Sequence, residues 1–451
     1  MIRLDFGKPT QEKEQAFAHI PRTSPTLTEL LCQIIMKLSD LGRALARFLG
    51  NRKREDTMPN IQDYVLWRGD LPLERVPLCD VDALLLSYLS YMPYDHIAGD
   101  AFDEGISLRD AAQKLLEVNE RDKTPLAYNV REDRKLLAAL MESARFRDIR
   151  LVGYVNKVDP EQEEQFAAVT FLLGEGRAFV AFRGTDNTVV GWKEDFNLSY
   201  MPVIPSQKTA TAYVSGVLSA LPNDMPIYVG GHSKGGNLAE FAALTIDEGG
   251  YARIKRVFNH DGPSFLEAPS PRIDEPEFQA KLDKTVPESS VFGMILESRD
   301  DFRIVQSNAM GFFQHVPFTW IVDGCDFSTQ RTLNNSAKMF DITLDRWLRS
   351  CSQHEREVFI DTMYDLITSS DAKSWADFQS SFMSNMATFM HDGRNLDDQT
   401  KEVMAHAIKN LGDVAGHTLR ERLGATIERM KEAVPFIDTE RGDAQSARKK
   451  N

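Results

Sequence analysis

The stretch Tyr228-Val229-Gly230-Gly231-His232-Ser233-Lys234-Gly235-Gly236-Asn237 constrains the chain more than any other. An apolar run from Pro226 to Val229 feeds it, and the helical run Leu238-Ala239-Glu240-Phe241-Ala242-Ala243-Leu244 leaves it. Strand, sharp turn with glycine on both flanks and serine at the apex, then helix: this is the G-x-S-x-G arrangement that holds a serine hydroxyl clear of its neighbours. Gly231 and Gly235 stand where a Cβ would obstruct the approach of strand to helix. The N–H of Lys234, at the helix start, can point at negative charge developing on a carbonyl oxygen attacked by Ser233. The pattern G-x-x-x-x-G-K-[ST] does not occur, which excludes a phosphate-binding P-loop.

A chain of 451 residues, 42% hydrophobic and 27% charged, has the length for two or three domains and the composition of a soluble globular protein. Its net charge of -14 is uneven. Residues 1–57 carry 10 Lys+Arg against 7 Asp+Glu, residues 331–451 carry 17 against 19, and the middle holds -15. An acidic middle argues against a groove for nucleic-acid phosphates. The four cysteines, Cys32, Cys79, Cys325 and Cys351, lie far apart with no C-x-x-C, which suits free thiols in a reducing compartment and no zinc site. Met1-Ile2-Arg3-Leu4-Asp5 opens onto a polar stretch, unlike a signal peptide, and no run of about 18 apolar residues occurs. The expectation is a cytoplasmic protein that needs neither cofactor nor metal.

Along the chain, residues 1–57 read as an arm. Within it Leu30, Leu31, Ile34, Ile35, Leu38, Leu41, Leu45, Phe48 and Leu49 recur at intervals of three and four, an amphipathic helix from Thr28 to Gly50. Docking of that helix on the main domain is the preferred reading. Peripheral contact of residues 28–54 with an anionic membrane surface is the alternative, since Lys37, Arg43, Arg47 and Arg52-Lys53-Arg54 add positive charge. Helices are expected over Asp80–Tyr91, Leu108–Val118, Glu132–Ala144 and Gln207–Ala220. Strands are expected over Ile149–Val155, Phe166–Leu173, Ala178–Phe182, Arg256–Asn259, Ser290–Leu296 and Phe302–Gln306, with Gly174-Glu175-Gly176 as a hairpin turn. The Pro- and charge-rich segment Leu266–Pro287 reads as a lid. Beyond about Thr332 three apolar stripes (Val358–Ile367, Trp375–Met390 and Val403–Leu411) predict a helical bundle over 331–437, and residues 438–451 a polar, disordered tail.

Three further pieces point to a family. Phe182-Arg183-Gly184-Thr185 resembles the oxyanion loop of class 3 lipases, and Gly231-His232-Ser233-Lys234-Gly235 resembles their serine turn, with an unusual lysine. More closely, the set Trp67–Asp70, Phe182–Asp186, Gly191–Phe196, Gly230–Asn237, Asp261–Phe265 and Gln314-His315 resembles an uncharacterised bacterial family related to those lipases. The resemblance covers roughly residues 58–330. It implies an α/β-hydrolase fold of the class 3 lipase type, here with an N-terminal helical arm and a C-terminal bundle. It also implies an ester substrate of lipid or other acyl type, and Thr185 as an oxyanion donor beside the N–H of Lys234.

A nucleophilic serine needs a base, and the base an orienting carboxylate; in this fold they follow in the order Ser, acid, His. Of the histidines after Ser233, His260 precedes any acid except by one residue, and His354, His391, His406 and His417 fall in the bundle. His315 remains. For the acid, Asp261 sits just past the strand after the serine helix, in Asp-Gly-Pro-Ser-Phe, similar to the acid motif of pancreatic-type lipases; Asp301, after the next strand, is the alternative. Trp192 and Asp195 read as braces for the Thr185 loop, and the Lys234 side chain as either meeting an anionic head group or standing in water. The competing reading is a non-catalytic binding or scaffold protein on a hydrolase fold, with the bundle as its partner-binding part.

Overall fold

Residues Ala178–Phe182 are buried on both faces: Phe179 and Ala181 enter one apolar cluster, Ala178, Val180 and Phe182 another. A strand that reads as an unbroken apolar run is one covered on both sides. The computed structural model to which this strand belongs describes residues 58–369, apart from 128, 129, 175, 187, 298 and 300, together with the isolated positions 403, 406, 410, 413 and 414. All belong to the unit spanning residues 57–451. The arm helix, residues 28–54, Cys32, the second apolar stripe, most of the third, His391, His417 and the tail lie outside the described residues.

In chain order the elements are helices α1 (Ile61–Arg68) and α2 (Asp80–Leu89), strand β1 (Ile106–Ser107), helices α3 (Leu108–Asp122) and α4 (Val130–Glu142), and strands β2 (Arg150–Asp159), β3 (Glu164–Leu172) and β4 (Ala178–Phe182). Then come α5 (Val189–Asn197), α6 (Pro205–Ala220), β5 (Ile227–His232), α7 (Lys234–Thr245), α8 (Glu248–Arg253), β6 (Ile254–His260), α9 (Pro276–Lys281), β7 (Leu282–Pro287) and β8 (Arg303–Val305). A small hairpin of β9 (Val322–Asp323) and β10 (Asp326–Phe327), strand β11 (Thr329–Gln330), and helices α10 (Asn335–Ser350) and α11 (Gln353–Ser369) complete it.

One nine-stranded sheet runs in the order β1-β2-β3-β4-β5-β6-β7-β8-β11. The pairs from β4 to β8 are parallel; β1 to β4 and the β8–β11 edge are antiparallel. Helices α1 to α4 cover one face, and the crossover helices α6, α7 and α9 the other. This is a mixed α/β architecture of three layers.

Two expectations are corrected. The segment Leu266–Pro287 is not a lid. It holds a 3-10 turn (Pro271–Asp274), α9 and the parallel strand β7, paired on both edges. The strand was hidden because its buried members are charged: Asp283 pairs with Arg256 and Arg303, and Lys284 with Glu297. Ser290–Leu296, apolar enough to read as a strand, instead curls through a 3-10 turn at Phe292–Met294. The chain bends there because the Gly293 N–H and the Ser290 hydroxyl both donate to a buried carboxylate, that of Asp261. The first apolar stripe lies on helix α11, whose Asp361 pairs with Lys193 of α5.

His260, at the end of β6, is fully buried between Phe258, Trp320 and Phe327, with ring centroids at 6.0, 6.2 and 6.5 Å. Neither ring nitrogen has a hydrogen-bond partner among the described residues. Burial, aided by Arg303 and Arg256 and opposed by Asp283, pushes the ring down to about 3. The unfolded ring, near 6.5, takes up a proton that the folded one refuses, so this contribution to stability is full above pH 6.5 and is lost as pH falls toward 3. Urea midpoints at pH 7 and 4.5 test this. His260→Leu should lose about 2–3 kcal/mol less than the wild type over that interval; equal losses would mean that the folded ring does protonate.

Candidate active site

The parallel strands end on one side of the sheet, where sites of open α/β sheets form. Phe182, Gly231 and Asn259 are in register across β4, β5 and β6, so the turns that follow them lie side by side. Ser233 follows β5 with φ 59° and ψ -135°, an unfavourable backbone for a residue with a Cβ. What fixes it there is close packing. A Cβ on Gly231 would lie 2.1 Å from the Gly235 carbonyl carbon, and one on Gly235 2.2 Å from the Phe182 oxygen. The Ser233 N–H donates to the His260 carbonyl at 2.9 Å. Its hydroxyl makes no hydrogen bond to any described residue.

Asp261 follows β6, also at positive φ (55°), and is fully buried. Its Oδ1 accepts from the Ser290 hydroxyl at 2.5 Å and the Gly293 N–H at 3.1 Å, while Oδ2 faces His315 Nδ1 at 2.6 Å. A carboxylate only accepts at neutral pH, so Nδ1 carries the proton and Nε2 is left with its lone pair. The His315 ring lies between those of Phe292 and His232, with centroids at 4.3 and 4.4 Å. It stands at the end of a 3-10 turn, Gly311–His315, which Gln314 anchors: the Gln314 side chain accepts from Ser289 N–H at 2.7 Å and donates to Ala309 O at 3.0 Å. Asp301 is exposed and makes no hydrogen bond to His315.

Thr185 lies in the loop between β4 and α5. Arg183 donates to Asp186 at 3.1 Å across that loop, and Asp186 accepts from Thr188, which caps α5. Gly184 is a steric requirement, because a Cβ there would lie 2.1 Å from the Tyr91 hydroxyl and 3.0 Å from Ser233 Cβ. The Thr185 hydroxyl donates to Asp195 at 2.5 Å and is therefore committed, whereas its N–H has no acceptor among the described residues. Asp195 braces the loop as expected. Burial, partly offset by Lys234 and the Thr185 hydrogen bond, pushes its carboxyl up to about 6. The N–H of Lys234 opens α7, one of the first N–H groups of a helix, which have no intrahelical acceptor.

A family model described as Mbeg1-like matches residues 140–365, just over half of the chain. The chain belongs to the Mbeg1-like family. The matched range contains Thr185, Ser233, Lys234, Asp261 and His315. No curated protein matches the chain in sequence. A solved structure titled "Crystal structure of M37 lipase" is similar at 16% identity with a TM-score of 0.31, over 49% of this chain and 71% of that one, a likeness too loose to bear on fold or chemistry.

In this Mbeg1-like chain the Lys234 side chain meets neither water nor a head group. It runs inward, fully buried, and donates to Glu194 at 2.7 Å and to the backbone and side-chain oxygens of Gln165, both at 2.9 Å. Glu194 also accepts from the N–H groups of Gln165 (3.1 Å) and Ser206 (2.9 Å). Sequence reasoning missed Glu194, Ser290 and His232. Gly191-Trp192-Lys193-Glu194-Asp195-Phe196 did carry a signal for Glu194, since a lysine at the start of a buried helix requires a carboxylate. Lys234→Met strands the buried Glu194 charge and should cost about 3–5 kcal/mol in urea unfolding. Adding Glu194→Gln, which removes the stranded charge but whose single oxygen can accept from only one of the two N–H groups, should recover part of that loss. A loss under 1 kcal/mol for the single variant would place the ammonium in water.

Proposed function

We propose that this Mbeg1-like protein is a lipase-like serine hydrolase that cleaves an ester, of lipid or other acyl type. The observation that carries the reading is the His315 Nδ1–Asp261 Oδ2 hydrogen bond of 2.6 Å, made beside a serine held at positive φ. Ser233 Oγ attacks the acyl carbon while His315 Nε2 takes its proton. Asp261 holds the imidazole in the tautomer that can accept it and stabilises the imidazolium that forms. The tetrahedral intermediate's oxygen is received by the N–H groups of Thr185 and Lys234; such donors contribute about 2.7–4 kcal/mol each to the barrier. His315 then protonates the leaving alcohol, and water, deprotonated by the same ring, releases the acid. Thr185 acts through its N–H, because its hydroxyl serves to fix the loop on Asp195.

The ammonium of Lys234 is turned inward and paired, so it is not offered to a head group. Acyl recognition is thus the basis of the substrate class, and the lipid character rests on the family resemblance. Docking of the helix at residues 28–50 on the main domain remains the preferred reading of the arm, and peripheral membrane contact through residues 28–54 is the alternative by which a lipid substrate would be reached. Among the described residues, no helix is long and apolar enough to cross a membrane.

A fluorophosphonate probe needs the same activated serine and oxyanion pocket. It should label the wild type at one residue, and leave Ser233→Ala and His315→Ala unlabelled. Asp261→Asn should lower turnover of a chromogenic ester by about three to four orders of magnitude, as acid-to-amide changes do in such triads, with Asp301→Asn within about threefold of wild type. The reverse ranking moves the acid to Asp301. A folded wild type that stays unlabelled, and inactive on esters of rising chain length and on phospholipids, removes the hydrolase reading in favour of a scaffold.

A further inference from the structure

His232 lies immediately before Ser233, ends β5, and is fully buried. An apolar side chain would fill the same space, yet both of its ring nitrogens are engaged. Nε2 is 2.7 Å from the backbone carbonyl of His315, and Nδ1 is 3.1 Å from the Tyr91 hydroxyl. A carbonyl only accepts, so Nε2 must carry the proton, and Nδ1 is left to accept from the Tyr91 hydroxyl, whose single proton it shares with the His232 backbone carbonyl, also at 3.1 Å. Burial and the neighbouring His315 hold the ring well below its ordinary range, which keeps it neutral and this tautomer fixed. The bond joins the last residue of the serine's strand to the residue bearing the imidazole, 83 positions later. The turn that carries His315 is short and partly exposed, with Met310 at 61% and Phe313 at 38% of full exposure. Its ring is held by Asp261, but its backbone at residue 315 is held across to β5 by His232.

We infer that His232 is a positioning residue: by donating from Nε2 to the His315 carbonyl it sets the separation between Ser233 and the imidazole, with Tyr91 fixing the tautomer that can donate. This rests on the hydrolase reading above. Errors of about 1 Å in such a separation cost on the order of 100-fold in rate, so a strut here is expected to act on kcat and not on substrate binding.

Three substitutions separate the strut from simple packing. His232→Gln keeps an N–H donor near the position of Nε2; His232→Asn places its amide near Nδ1, within reach of Tyr91 alone; His232→Leu keeps only volume. Two measurements are made on each purified full-length variant: the second-order rate of fluorophosphonate labelling at Ser233, with kcat and KM on a chromogenic ester, and hydrogen exchange of peptides covering residues 308–318. Leu and Asn should label on the order of 10- to 100-fold more slowly, with kcat reduced and KM within about twofold, and should exchange faster over 311–316. Gln should return within about threefold of wild type in rate and match its exchange. Tyr91→Phe should give an intermediate loss. Leu labelling at the wild-type rate, or Gln behaving like Leu, overturns the inference; if Leu does not fold, the Gln and Asn pair decides. A wild type that is never labelled sinks the hydrolase reading, while the exchange data still decide whether His232 restrains the 311–316 segment.

Discussion

The contact on which the rest of this structure depends is the packing of α7 against β5 and β4 at Gly231 and Gly235, where any Cβ would stand about 2 Å from backbone atoms. It forces the intervening Ser233 into positive φ. It also draws residues 234 to 244 entirely out of water. A helix buried all round must give every polar side chain a partner. Lys234 has Glu194 and Gln165; Asn237 donates to the carbonyls of Pro263 and Ser264 and accepts from Gln207; Glu240 takes Asn259 and Arg299.

Those partners sit on the segments that surround the serine. Glu194 and Asp195 are consecutive on α5, and one holds Lys234 while the other holds Thr185. A single helix thus grips both residues proposed to receive the oxyanion. Asn259 and the chain from Pro263 to Ser264 bracket Asp261, and Arg299 closes the loop that passes Ser290 and Gly293. The charged interior costs desolvation that apolar residues would not, and in return it fixes directions, which apolar contacts do not.

Much of this was legible in the sequence because it is local or ordered along the chain. The serine turn is announced by its glycines, and His315 by the order Ser, acid, His, an order that leaves both Asp261 and Asp301 open as the acid; the structure brings Asp261 and His315 within hydrogen-bonding distance. What was not legible depends on partners distant in sequence. Leu282–Pro287 looked like exposed loop because Asp283 and Lys284 are polar, and only Arg256, Arg303 and Glu297 turn them into core. Ser290–Leu296 looked like a strand because its apolar content is high, but a carboxylate 29 to 32 residues earlier bends it. Lys234 looked like surface because its carboxylate partner, Glu194, lies 40 residues earlier in the chain. His232 was passed over because only histidines after the serine were weighed as bases, and a histidine that holds another histidine's backbone has no motif of its own.

The strand order bears on how the molecule is made. From β1 to β8 each strand lies beside its predecessor in sequence, so a chain emerging N-terminus first can extend an existing sheet edge strand by strand, each step closing only a local loop. The serine turn follows β5 and the buried aspartate follows β6, but the imidazole arrives only after β8 has been laid down. A nascent chain that stops anywhere before residue 315 carries the serine without its proposed base. On the proposed reading, then, the serine stays without its base until the chain has passed residue 315, well after its own strand and helix are in place.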